Sequence, residues 1–155
     1  MRGVALARDG SRLVLLDTNV FVAAIKTPSR KTDTYRLLVH LLEQEDIRLV
    51  SDVLLVQEYI RYAQVFPSPT AAALAAALVE KMDIVRVEDR FLLACAPYFR
   101  GGRAADMAHA ATCLQTGAVL VSNDRHFDAV AKAGLIRRWT VAEAIRRRLP
   151  PVRGR

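Results

Sequence analysis

The stretch Leu13-Val14-Leu15-Leu16-Asp17-Thr18-Asn19 sets four apolar residues in a row and then an acid, a hydroxyl and an amide. A short continuous apolar run suits a strand buried on both faces, as in a parallel sheet. A second stretch ends the same way: Ala118-Val119-Leu120-Val121 runs into Ser122-Asn123-Asp124. Ligands of an open parallel sheet bind beyond the C-terminal ends of its strands. Asp17 and Asp124 are therefore expected to emerge on one edge of one sheet.

Outward from these two stretches, helical and strand patterns alternate. Helices are expected over 20–25 and 32–45, with Pro28 and Ser29 between them. A strand over 47–50 leads to a helix that Ser51 caps and that carries Glu58 to about Gln64. Pro67-Ser68-Pro69 breaks the chain, and Thr70 is expected to cap an Ala-rich helix to about Met82. A third strand is expected over 84–87, then a helix opened by Glu88 and Asp89 and a loop over 97–102. The helix over 103–116 should stop at Gly117. The fourth strand, 118–121, precedes a short helix over 127–132. A last strand lies within 134–139, and Thr140 caps the final helix. Alternating strands and helices predict an α/β domain, three layers deep, around a mostly parallel sheet. The expected unit is one domain over 1–155, with a loosely attached start at 1–11 and a basic tail at 150–155.

Composition narrows the function classes. The chain has 155 residues, 52% of them hydrophobic, which excludes a disordered chain. Lys and Arg number 23 against 16 Asp and Glu, a net charge of +7. An arginine-rich surface suits phosphate-bearing partners, because a guanidinium grips phosphate oxygens with two hydrogen bonds. Cys95 and Cys113 lie in apolar stretches and read as small buried hydrophobes, not as a disulfide framework. No apolar run reaches the roughly 18 residues of a membrane span, and the first residues hold no signal-peptide core. A cytoplasmic protein with no membrane partner is expected.

Two more acids stand out by their surroundings. Asp106 lies in Ala104-Ala105-Asp106-Met107-Ala108, and Glu58 in Leu54-Leu55-Val56-Gln57-Glu58-Tyr59-Ile60. An ionised carboxylate in an apolar setting is costly, and two of them about 4 Å apart repel by about 4 kcal/mol at an effective dielectric of 20. Each acid alone also reads as a cap or an ion pair. Taken together, the four suit a divalent ion that offsets the repulsion. Oxygen-only ligands favour Mg²⁺ or Mn²⁺; the histidines and cysteines show no zinc-ligand spacing. Such a site suits phosphodiester hydrolysis, since the metal acidifies water and stabilises charge on phosphate.

Four pieces of the chain, in order, resemble the PIN-domain ribonuclease family: Leu-Val-Leu-Leu-Asp17-Thr18-Asn19, Leu-Leu-Val-Gln-Glu58, Ala-Asp106-Met-Ala-His-Ala-Ala, and Val-Leu-Val-Ser122-Asn123-Asp124-Arg-His-Phe127. The resemblance spans about 13–148. It implies a three-layer α/β/α fold, Mg²⁺- or Mn²⁺-dependent cleavage of RNA, and frequent homodimers. It implies metal-ligand roles for Asp17, Glu58, Asp106 and Asp124. It gives supporting roles to Asn19, which steadies the first turn, and to Ser122 and Asn123 beside the last acid. Many small members are toxins of toxin–antitoxin pairs, similar to the VapC group, each silenced by an antitoxin protein. The segment before the first strand and the basic charge depart from that group's pattern.

Other residues fit a functional role and a plainer one alike. Arg103 and Arg125 could hold a substrate phosphate, or be solvated surface arginines. His109 could orient Asp106 or a water, or be a core histidine; His126 reads as a loop residue. Arg146, Arg147, Arg148, Arg153 and Arg155 could grip RNA or a partner's acidic segment, or simply favour a helix C-terminus. Asp52, Glu88 and Asp89 read as helix starts. Rival functions are a phosphatase of the haloacid dehalogenase type, which needs an acid where Asn19 stands, a non-catalytic PIN-fold module binding RNA or protein, a stand-alone RNA-processing nuclease, and a DNA-directed nuclease.

Overall fold

A computed structural model describes residues 12–26, 32–65 and 68–148. Five strands form one all-parallel sheet in the order β3-β2-β1-β4-β5. The strands are β1 (Arg12–Leu16), β2 (Ile47–Ser51), β3 (Met82–Ile84), β4 (Val119–Val121) and β5 (Arg137–Trp139). Between them run α1 (Thr18–Ile25), α2 (Asp33–Glu43), α3 (Val53–Val65), α4 (Pro69–Lys81), α5 (Asp89–Cys95), α6 (Ala104–Thr116) and α7 (Asp128–Lys132), and α8 (Val141–Arg148) follows β5. This is the expected three-layer α/β/α arrangement. Leu15, Leu49 and Leu120 on the three central strands are wholly buried, because helices cover both sheet faces. The edge strands are more polar: β5 is Arg-Arg-Trp and β3 has only Met82 buried. No helix among the described residues is long and apolar enough to cross a membrane.

Several boundaries moved, each for a local reason. The third strand sits at Met82–Ile84, two residues earlier than the apolar 84–87 stretch suggests. Its partner β2 ends at Ser51, so only the Val85 N–H to Ser51 carbonyl bond, 2.7 Å, remains beyond Ile84. Ser51 is a strand residue, and Asp52 caps α3 in its place by accepting from the Leu55 N–H at 2.9 Å. Ser68, not Thr70, caps α4: Pro69 occupies the first helical position, so the cap must precede it. α1 starts at Thr18, since Asp17 itself accepts the Thr18 N–H at 2.8 Å. Residues 97 and 98 belong to a 3₁₀ turn, Ala96–Tyr98, and not to open loop.

Other boundaries stand as read. Thr140 and Glu143 exchange reciprocal bonds of 3.2 and 2.9 Å at the start of α8, a capping box. Gly117 closes α6 in the left-handed region, with φ of 80°. The start at 1–11, Pro28 with Ser29, Pro67, and the tail at 150–155 with Arg153 and Arg155 lie outside the described residues.

Candidate metal centre

The register of the central strands brings the first two acids together. Leu16 pairs with Val121, so the next residues, Asp17 and Ser122, leave the sheet side by side. The Asp17 N–H donates to the Val121 carbonyl at 3.1 Å, and the Ser122 hydroxyl donates to Asp17 Oδ2 at 2.6 Å. Ser122 Oγ also accepts the Asp124 N–H at 3.0 Å. One buried hydroxyl thus sets the spacing between the two strand-end acids.

Glu58 arrives on α3, which is fixed by its neighbour. Tyr59 is fully buried, stacks on Phe21 at 4.9 Å, and donates its hydroxyl to the Leu16 carbonyl at 2.8 Å. With Tyr59 locked onto the end of β1, the adjacent Glu58 stands at the mouth of the same strand. Thr18 Oγ1 donates to Glu58 Oε1 at 2.5 Å, tying it to the residue after Asp17. Asp106 comes from the first turn of α6, where the helix dipole favours a negative charge.

Asp17, Glu58, Asp106 and Asp124 line a single cleft of about 230 Å³, together with Thr18, Asn19, Val22 and Tyr62. Burial pushes the Asp17 carboxyl above its usual range, against hydrogen bonds from Ser122 and Thr18. Burial also raises Asp106, and the neighbouring Asp124 charge adds to it. Glu58 goes the other way: burial raises it, but hydrogen bonds from His109 and Thr18 outweigh that and hold it below its ordinary value. The cleft thus holds several oxygen donors on well-separated elements, two of them destabilised as anions. Of the four acids, Asp106 and Asp124 come close enough to share one ion, in a group with His126 whose donor atoms lie within 4.8 Å of one another, while Asp17 and Glu58 line the same cleft further off. Oxygen donors of this kind fit a hard divalent cation that keeps part of its water.

The supporting residues divide. Ser122 touches Asp17 and Asp124 as described. Asn123 turns away and its Oδ1 accepts the Val141 N–H at 2.9 Å, so it holds the start of α8. Asn19 is exposed on the cleft rim, while Asp17, Thr18 and Ser122 make the hydrogen bonds that steady the first turn. Arg103 stands 4.0 Å from Asp106 and 3.1 Å from the His126 ring. Arg125 is exposed.

Asp52 and His126 read in the sequence only as a helix start and a loop residue, and His109, a candidate to orient Asp106, instead serves Glu58. His109 is buried and bridges Asp52 Oδ2 at 2.7 Å and Glu58 Oε1 at 3.4 Å. Burial lowers its pKa, but the hydrogen bonds and charges of Asp52 and Glu58 outweigh that and raise it to about 10. Asp52 caps α3, as its position suggested, and also anchors this histidine; Thr112 Oγ1 adds a bond of 3.3 Å to the same carboxylate. His126 sits in a 3₁₀ turn beside Asp106 and Asp124. Nothing in the spacing of His109 to Asp52, 57 positions apart, signals their contact.

The family model described as PIN domain matches residues 14–133. The chain belongs to the PIN domain family. No curated protein matches it. Among solved structures, the PIN domain here is similar to VapBC-1 from nontypeable Haemophilus influenzae, with TM-score 0.58 and 15% identity over 84% of this chain and 98% of that one. It is similar to VapBC2 from Rickettsia felis, bound to a DNA fragment from their promoter, with TM-score 0.57 and 15% identity over 83% and 98%. FitAcB from Neisseria gonorrhoeae gives TM-score 0.55 and 19% identity over 83% and 98%. At these identities the likeness speaks for the PIN fold.

Proposed function

We propose that this PIN domain is a metal-dependent endoribonuclease that hydrolyses RNA phosphodiester bonds, and that it acts as the toxin of a VapBC-type toxin–antitoxin pair. The observation that carries the nuclease reading is the meeting of Asp17, Glu58, Asp106 and Asp124 in one cleft at the C-terminal edge of the sheet. These four would hold Mg²⁺ or Mn²⁺. When bound, such an ion supplies an acidified water and neutralises charge on the phosphate. The chain's own residues set the stage. Ser122 and Thr18 hold Asp17 and Glu58 in place by hydrogen bonds, so little reorganisation is needed when the substrate arrives. Arg103 at the cleft and exposed Arg125 beside Asp124 supply cations for the flanking phosphates.

The toxin role is supported by the family and by fold likeness to structures of VapBC and FitAB complexes. It implies an antitoxin protein as partner and a cytoplasmic RNA as substrate. A second copy of the chain is a further partner. The exposed apolar residues Val53, Ile60 and Val65 on α3 offer contact surface for either.

The test uses purified protein and single-stranded RNA. Cleavage is expected with Mg²⁺ or Mn²⁺ and should stop with EDTA. Asp17→Asn and Asp106→Asn should each abolish cleavage with the circular dichroism spectrum unchanged. Undiminished cleavage by both variants would remove the four-acid site from consideration.

A further inference from the structure

Three side-chain atoms from the start of α6 and the turn after β4 share a small volume: Asp106 Oδ2, Asp124 Oδ1 and His126 Nδ1. The ring nitrogen lies 3.2 Å from the Asp106 oxygen and 3.0 Å from the Asp124 oxygen. One donor atom from each of the three residues falls within 4.8 Å of the others. The Asp124 carboxylate is itself pinned, because the same Oδ1 accepts the His126 backbone N–H at 2.9 Å. Arg103 Nη1 approaches the same ring nitrogen at 3.1 Å.

A cation among the three donor atoms, which lie within 4.8 Å of one another, would meet two carboxylate oxygens and a ring nitrogen at once and leave Arg103 free to turn toward an anionic substrate. The spacing agrees with this. Around a six-coordinate ion with bonds of about 2.1 Å, adjacent donors stand about 3.0 Å apart. The separations from Nδ1 to the two oxygens are of that size.

We propose that His126 is a nitrogen ligand of the metal site, through Nδ1 and beside Asp106 and Asp124, and that the site therefore favours a divalent first-row transition ion over Mg²⁺. Imidazole binds transition ions far more readily than Mg²⁺, which takes oxygen donors. This changes the oxygen-only ligand set expected from the sequence. It rests on the metal-dependent reading of the cleft and deepens it.

Metal binding tests it without reference to activity. The full chain, stripped with EDTA, is titrated by calorimetry with Mn²⁺ and separately with Mg²⁺, as wild type, His126→Ala and His126→Asn. His126 is partly exposed, so both variants should fold, which circular dichroism checks. Wild type should bind Mn²⁺ more tightly than Mg²⁺. Both variants should lose about tenfold or more in Mn²⁺ affinity, a loss of the size seen when the surroundings of a metal site are altered, with a much smaller change for Mg²⁺. Pulsed electron paramagnetic resonance of bound Mn²⁺ should show a nitrogen coupling that disappears in both variants. Retained Mn²⁺ affinity in His126→Ala, which offers no donor atom, would mean the ring only hydrogen-bonds to the carboxylates, and would overturn the proposal. Equal Mn²⁺ affinity in all three proteins would overturn it while leaving the four-carboxylate site standing. Failure of wild type to bind Mn²⁺ at all would overturn both.

Discussion

His109 Nδ1 lies 2.7 Å from Asp52 Oδ2, with 1% and 4% of the two side chains exposed. The contact joins the cap of α3 to the middle of α6, and the far ring nitrogen reaches Glu58. Removing one partner from a buried charged pair strands the other. His109→Ala should therefore lower stability by about 3 kcal/mol. For a chain of this size that is a fall in Tm of about 10 °C. An unchanged denaturation midpoint would show that the Asp52–His109 contact contributes nothing.

The same pair predicts a pH dependence. His109 titrates near its ordinary 6.5 when unfolded and at about 10 when folded. The folded state thus binds the proton more tightly. The resulting stabilisation is fully present below about pH 6.5 and is lost as pH rises through about 10. Urea unfolding in the presence of a chelator should show stability falling across that window in wild type, and a flatter profile in His109→Ala. Parallel profiles would place the titration elsewhere.

Ser122 serves both strand-end acids at once, donating to Asp17 and accepting from the Asp124 N–H. Ser122→Ala should cost about 1–2 kcal/mol of stability, from the lost bond and the unsatisfied Asp124 N–H. If the cleft holds a divalent ion, the variant should also bind it about 10- to 100-fold more weakly. Calorimetric titration with Mn²⁺ reads the second effect. Wild-type affinity in Ser122→Ala would show that Asp17 needs no help to stay in position.

Gly117 isolates a backbone effect. Its φ is 80°, yet a Cβ built there meets nothing within 4 Å. Gly117→Ala should therefore cost about 1 kcal/mol through left-handed strain alone, with no packing clash. Urea denaturation checks this; a loss beyond about 3 kcal/mol would point to a steric conflict instead.

Cys95 and Cys113 are buried, and burial pushes both thiols up, Cys95 to about 11. Neither should react with a disulfide reagent at about pH 8 in the folded protein, and both should react in guanidinium, because the thiolate is the reactive form. Fast labelling of the native protein would contradict their packing.

Much of the fold could be read along the chain. The apolar runs at 13–16 and 118–121 are strands because they are buried on both faces, and strand-end geometry then forces Asp17 toward the last acid. Local cap chemistry read correctly at Thr140 and Gly117. It misread Thr70 and Ser51, where a proline and the end of a strand decided the boundary. Asn123 looked like part of the site because it adjoins Asp124, yet it faces α8.

The sequence by itself determined the alternation of strands and helices, the two acids at strand ends, and the apolar surroundings that made Glu58 and Asp106 conspicuous. Those follow from short-range physics: burial periodicity, caps and the direction in which a strand ends. Only the tertiary structure decided what each acid touches. Tyr59 docking on Leu16 aims α3, His109 spans from Asp52 to Glu58, and the turn after β4 carries His126 onto Asp106. Each contact joins elements far apart in sequence, through side chains whose directions depend on how the helices pack over the sheet. Residue spacing along one chain carries no record of that packing.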